Sequence, residues 1–214
     1  MPFYVLKLGG SLMPCARELV RALVSLAEEG YSFLVVPGGG PMADLVREIF
    51  SSGKLSQEAA HWMAILAMEQ YAYFLADGTG AQLTCEICRP QGNPNVEILL
   101  PYRAMQKENS GLELELEHNW DYTSDSVAMI VASQLSAPLI KATDVDGVIL
   151  DGKVVEEVPA SSLRGFESCI DQGTLNLLCG RLKGRNVWVM SGTDPERFVM
   201  SLKKGKGGTV IKGQ

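Results

Sequence analysis

The sequence predicts an α/β fold built around a parallel sheet. Short runs of β-branched and apolar residues alternate with helix-length segments, the order that β-α-β units require. Two of these runs pass straight into glycine clusters, at Lys7-Leu8-Gly9-Gly10-Ser11 and at Pro37-Gly38-Gly39-Gly40-Pro41. Glycines after a strand let backbone N–H groups approach oxyanions, and a following helix adds its positive N-terminal end. With 214 residues, 46% of them hydrophobic, there is chain enough for one full core, and a single domain over 1–214 is the simplest division.

Each element has its own signal. Phe3 to Leu8 is a strand; Pro14 to Glu29 is a helix with proline in its first turn and Gly30 closing it. Tyr31 to Val36 is a second strand, and Met42 to Phe50 is helical after the glycine triplet. From Ser56 to Leu75 the chain is apolar on nearly every side, so that helix is either wholly internal or covered in part by a second subunit, which makes a homo-oligomer the expectation. Gly92-Asn93-Pro94-Asn95 marks a turn before a short strand at Val96 to Leu100, whereas the Leu/Glu alternation of Leu112 to Glu117 suits an edge strand and an exposed loop equally. Thr123-Ser124-Asp125 starts a helix, Leu139 to Ala142 is a strand, and Val148 to Val155 is a hairpin turning at Asp151-Gly152. A helix at about Thr174 to Leu182, a strand at Val187 to Met190, a helix at about Asp194 to Lys203 and a closing strand at Thr209 to Ile211 complete the chain.

Composition removes several function classes. A net charge of −6 weighs against a nucleic-acid surface, and Lys203, Lys204 and Lys206 read as a solvated turn. No apolar run reaches the ~18 residues that span a membrane. The chain enters a strand at once, leaving no room for a signal peptide, so a cytoplasmic location is expected. Five cysteines, an odd number, fit reduced thiols. Cys85 and Cys88 form a C-x-x-C, but a zinc site needs further ligands and only His61, His118 and the other cysteines could add them. No metal site is therefore assigned.

Lys7 stands at the carboxyl end of the first strand, where open α/β sheets bind ligands. It is either a strand-end surface lysine or a point charge for phosphoryl oxygens, and the adjoining Gly9-Gly10-Ser11 favours the second. The stretch from Gly38 to Ala43 matches G-x-G-x-x-A, yet the dinucleotide fold wants an acidic residue ending the next strand, and Gln57-Glu58-Ala59 lies in a helix. The P-loop pattern is absent. Asp125 is either a favourable charge at a helix N-terminus or the ion-pair partner that orients Lys7, with an indirect part in positioning Mg²⁺. The segment from Thr143 to Gly147 is either a tight turn or a contact to a nucleotide's ribose and phosphates.

Taken in order, Lys7 to Ser11, Val36 to Pro41, Thr123 to Ala128, Lys141 to Val148 and Gly208 to Ile211 resemble the amino acid kinase family, whose members phosphorylate acetylglutamate, aspartate, carbamate, uridylate and isopentenyl phosphate. The resemblance spans essentially the whole chain. It implies a three-layer α/β/α sandwich with a mostly parallel sheet, an acceptor-binding part at about 1–122 and an MgATP-binding part at about 123–214. It also implies that Lys7 and Asp125 are catalytic and that Gly9, Gly10, Ser11, Lys141, Thr143, Asp144, Val145, Asp146 and Gly147 hold ATP. Gly38, Gly39 and Gly40 would line the acceptor side. Many members carry Gly-Gly-Met and a second catalytic lysine before the penultimate helix, where this chain reads Cys169-Ile170-Asp171-Gln172-Gly173-Thr174.

Short length, the missing lysine and the stretch Ala60 to Met68 resemble the branch that makes [5-(aminomethyl)furan-3-yl]methyl diphosphate from its monophosphate for methanofuran-type cofactors. A phosphomonoester acceptor gives Arg47 and His61 the task of adding positive charge, with His61 alternatively a core histidine, and assigns Asp171 to the acceptor's amine. A sibling kinase for another small acceptor, and a non-catalytic nucleotide- or oxyanion-binding protein, stay open.

Overall fold

The computed structural model describes residues 1–107 and 116–214. The Leu/Glu alternation, apart from its last two residues, lies outside them. An eight-stranded sheet forms the centre, in the order β3-β4-β2-β1-β5-β9-β10-β8. Its members are β1 (Phe3–Leu8), β2 (Ser32–Pro37), β3 (Gln82–Thr84), β4 (Val96–Leu99), β5 (Leu139–Thr143), β8 (Glu157–Pro159), β9 (Asn186–Ser191) and β10 (Thr209–Lys212). The strands from β3 to β9 in that order run parallel, while β10 is antiparallel to β9 and β8 follows β10. A separate hairpin, β6 (Ile149–Leu150) and β7 (Lys153–Val154), turns at Asp151 and Gly152, whose φ values of 50° and 74° are those a tight hairpin turn demands.

Helices cover both faces. On one, α1 (Ala16–Glu28) and α7 (Pro195–Lys204) pack on Leu6, Leu8, Phe33 and Val35. On the other, α5 (Ser124–Gln134) and α6 (Gln172–Cys179) cover Val5, Leu34 and Val36. The strand alternation thus feeds two cores, as period-2 patterning of a doubly covered sheet requires. The long helix α3 (Gln57–Ala76) serves both: Ile65 and Met68 join one core, Tyr71, Ala72 and Leu75 the other. That double duty explains its lack of a polar face, while Leu66 and Tyr73 stay exposed.

The three-residue strands β3 and β8 and the five-residue helix α4 (Pro101–Met105) were not expected. They are too short for a period to register. The helix α4 is fixed by a tertiary contact instead, since the buried Glu69, paired with the exposed Arg103 (3.0 Å), also lets its Oε2 accept the Arg103 N–H at 3.0 Å, satisfying a donor at the helix start.

Candidate active site

The carboxyl ends of β1 and β5 bring two lysines side by side. Lys7 and Lys141 are register partners across the parallel pair, so both side chains leave the same face of the sheet. There they meet Asp125, in the first turn of α5: Lys7 Nζ lies 2.9 Å from Oδ1 and Lys141 Nζ 2.5 Å from Oδ2. All three are buried, at 7%, 6% and 5% exposure, so neither lysine is a strand-end surface residue. Burial alone would raise the Asp125 carboxyl, but the ammonium groups of Lys141 and Lys7 hold it well below the usual carboxylate range. Burial pulls Lys7 below the ordinary lysine value, with Asp125 opposing the fall and Lys141 adding to it. Two cations on one carboxylate leave one net positive charge in a dry site, a standing invitation to an anion.

The glycine turns meet beside this centre. A Cβ on Gly10 would lie 2.5 Å from both N and Cα of Gly40, and one on Gly38 would lie 2.9 Å from the Gly10 nitrogen, so no side chain fits between the turns. Tyr71 of α3 holds the pair from beneath; its ring packs on Gly40 and its hydroxyl donates to the Gly9 carbonyl at 3.3 Å. The helix α2 (Gly40–Ser51) starts inside the second turn, so its N-terminal end faces the space between them. That space is an open crevice of about 670 Å³ lined by Lys7, Gly10, Ser11, the triplet Gly38 to Gly40, Arg47 and the start of α5. Glycines on both turns keep its floor bare backbone, because a Cβ at Gly10 or Gly38 would collide with the facing turn.

The expected nucleotide residues divide. Ser11 Oγ donates to Asp144 Oδ1 at 3.1 Å, and Thr143 Oγ1 donates to the same oxygen at 3.1 Å, which ties the first glycine turn to the end of β5. Asp146 is paired with Arg197 of α7 at 3.0 Å. Gly147, at φ 153°, packs against Thr209, whose hydroxyl a Cβ would meet at 2.4 Å; Val145 and Gly147 face a separate apolar hollow with Leu163, Phe166 and Cys169. Lys141 belongs with Lys7 in the charge centre.

Asp171 departs from the expectation that it meets an amine. It caps α6, and its two oxygens accept from Thr123 N (2.9 Å), Thr123 Oγ1 (2.7 Å), Ser126 N (3.1 Å), Ser126 Oγ (2.8 Å) and Thr174 N (2.7 Å). Its own N–H donates to Asp125 Oδ2 at 3.1 Å. The carboxylate is saturated by the starts of α5 and α6, which fixes the backbone N–H that bonds Asp125.

A second cavity opens off the crevice past Gly39, Arg47, Thr123 and Ser124. Ile65, Met68 and Tyr122 make it apolar, Trp120 closes one side, and Gln57, His61 and Asn119 add polar atoms. Arg47 stands where the two spaces join, paired with Asp44 at 2.7 Å and lying 5.1 Å over the Trp120 ring. His61 does not bring the positive charge expected of it: burial, with His118 stacked 3.9 Å away, lowers its pKa to about 4, so the ring is neutral near pH 7. Trp120 and Tyr122 went unnoticed in the sequence, and Gln57 and His118 were weighed there only in other roles, because nothing local joins α3 to the segment before α5. The partner role of Lys141 had a signal, a second lysine at a strand's carboxyl end.

The family model described as the amino acid kinase family matches residues 2–195. A curated relative, the [5-(aminomethyl)furan-3-yl]methyl phosphate kinase of Methanocaldococcus jannaschii, is 33% identical over 215 aligned positions, covering 95% of this chain and 94% of the relative. Among solved structures, the uridylate kinase of Archaeoglobus fulgidus superposes with a TM-score of 0.69 at 22% identity over 99% of this chain and 100% of its own. The UMP kinase of Bacillus anthracis does so with a TM-score of 0.66 at 15% identity over 100% of this chain and 98% of its own. Those two likenesses show a shared fold.

Proposed function

Because this chain belongs to the amino acid kinase family and is a phosphotransferase, we propose that it transfers the γ-phosphoryl group of ATP to the phosphate of [5-(aminomethyl)furan-3-yl]methyl phosphate, giving the diphosphate. The observation that carries the reading is the Lys7–Asp125–Lys141 centre set between two glycine turns, beside a cavity with apolar and aromatic lining. The relative's printed name supplies the acceptor.

An oxygen of the acceptor's phosphate forms the bond to the γ-phosphorus as the bond to the ADP oxygen breaks. A phosphomonoester is largely dianionic near pH 7, so no protein base is needed. The difficulty is repulsion between two anions, and the chain's residues answer it. Lys7 and Lys141 put two ammonium groups at the strand ends where the phosphates meet, and Asp125 fixes their spacing. Lys141 thereby takes the place of the lysine missing from the stretch 169–174. The glycine turns and the N-terminal end of α2 donate backbone N–H groups, and Arg47 meets the acceptor's phosphate at the mouth of its cavity. Mg²⁺ neutralises phosphate charge when bound; no cluster of three acidic, histidine or cysteine groups exists among the described residues, and Asp144 beside Ser11 is a single carboxylate of the kind that suffices when phosphates give the other ligands.

The test is ADP release with Mg²⁺ and ATP against the furan phosphate, UMP, isopentenyl phosphate and acetylglutamate. Release stimulated by the furan phosphate alone is expected. Stimulation by another acceptor in its place would move the substrate, and ATP binding with no stimulation by any of them would overturn the kinase.

A further inference from the structure

We propose that His61 recognises a protonated amine on the acceptor by accepting one of its N–H bonds at the end of the cavity away from the crevice. The inference rests on the kinase reading above and gives its acceptor a second point of recognition. His61 is only 9% exposed, lines the cavity and is absent from the crevice wall, so it faces the part of the acceptor away from the transferring phosphate. Among the described residues neither of its ring nitrogens has a hydrogen-bond partner. Its nitrogens are not sealed from solvent, so an N–H of a molecule entering the cavity would take the place of water on the ring.

The charge pattern says what kind. Lys7 and Arg47 line the crevice and suit an anion, with the buried Lys141 paired to Asp125 behind Lys7. The far end presents acceptors, from the exposed residues Gln57 and Glu58. Gln57 spends its Nε2 on the His118 carbonyl at 2.6 Å, which leaves its Oε1 free to accept. Behind the imidazoles, the Glu58 carboxylate accepts from Trp62 Nε1 at 2.7 Å and lies 2.6 Å from His118 Nδ1; the His118 bond, chief among its contacts, keeps Glu58 below the ordinary carboxylate range. His118 in turn stacks on His61 with the planes 11° apart. Burial and this neighbour keep His61 unprotonated, and only an unprotonated imidazole has a lone pair to offer an ammonium group. The two ends of the cavity therefore complement a small molecule that is anionic at one end and cationic at the other. Glu58 and His118 act as positioning residues.

The rival use of the same ring is donation of its N–H to the acceptor's phosphate, and one substitution separates the two. Wild type, His61→Leu and His61→Gln would be compared for kcat/KM on the furan phosphate and on its analogue with methyl in place of aminomethyl. The expected result is an amine preference in wild type of about ten- to a hundredfold, falling toward unity in His61→Leu and partly restored in His61→Gln, which keeps an acceptor oxygen. An equal loss on both compounds in His61→Leu, or a wild type indifferent to the amine, would overturn the inference while leaving the kinase standing. Should wild type phosphorylate neither, the kinase reading fails on its own, and calorimetric binding of the two compounds to the same three proteins still reads the preference.

Discussion

The crevice at the charge centre and the cavity beside it share Gly39, Ala43, Arg47, Thr123 and Ser124, yet the centre and the cavity are built in opposite ways. The centre stands on strand ends, and each side chain in it is fixed by a neighbour: Lys7 and Lys141 by Asp125, and Asp125 by the N–H of Asp171. The cavity is walled by helix faces and by the segment before α5, and its most buried polar residue, His61, has open ring nitrogens. Phosphoryl transfer needs charge held still, which strand ends provide at little entropic cost. Choice of acceptor needs a surface that can differ between relatives, and facing helices supply it without disturbing the centre.

The sharpest way to break the comparison is to unbalance the centre. Lys7→Met and Lys141→Met are each expected to lower kcat by about a hundred- to a thousandfold, the range found when one preorganised donor is removed from a developing anion. The double variant should fall far short of the product of the two losses, because the lysines act as one unit on one carboxylate. Steady-state kinetics alongside nucleotide binding would show it. Near-normal turnover in Lys141→Met would make Lys141 a neutraliser of Asp125 and leave Lys7 alone on the phosphoryl group.

A smaller effect should follow from separating the glycine turns. In Gly10→Ala the new methyl must displace the backbone of Gly40, since 2.5 Å is no contact that atoms tolerate. Overpacking of this kind costs about 1–3 kcal/mol, and widening the cradle should cost about tenfold or more in kcat/KM through misplacement of the phosphates. Denaturant unfolding and kinetics on one preparation would test both, and a fully active, fully stable Gly10→Ala would show that the close approach has no part in the site.

How far the sequence revealed the site follows the same division. The centre was legible because its parts are local: a strand, a glycine pair and a lysine at Lys7 to Ser11, and a polar helix start at Thr123 to Asp125. The sheet was legible for a similar reason, since most of its strands are long enough to show a pattern; β3 and β8, three residues each, were not. Lys141 was visible as a strand-end lysine, but its partnership with Lys7 depends on the register of β1 against β5, which no local pattern encodes. Asp171 misled because an aspartate ahead of a helix can cap it or face a ligand, and only the five bonds it accepts decide for the cap. The stack of His61 on His118 joins residues 57 positions apart, so the neutral state of His61 could not be foreseen from either.

That neutral state gives the smallest of the expected effects and the one that bears most directly on the cavity. In the unfolded chain His61 takes up a proton near its ordinary value of 6.5, whereas in the fold it does so only at about pH 4. Between these values the unfolded state binds more protons, so the folded state loses stability as the pH falls through the window. The full shift sets a ceiling of about 3 kcal/mol, and water reaching the ring through the open cavity brings the expected loss to about 1–2 kcal/mol. Asp125 does not interfere, because its lowered pKa makes it costly only below the ordinary carboxylate value. Urea unfolding of wild type and His61→Leu at pH 7 and pH 4.5 isolates the effect: wild type should lose more between the two than the variant does. Equal losses would mean that the folded protein protonates His61 as readily as the unfolded chain, and the cavity would then present a cation at its end away from the crevice, where amine recognition requires a lone pair.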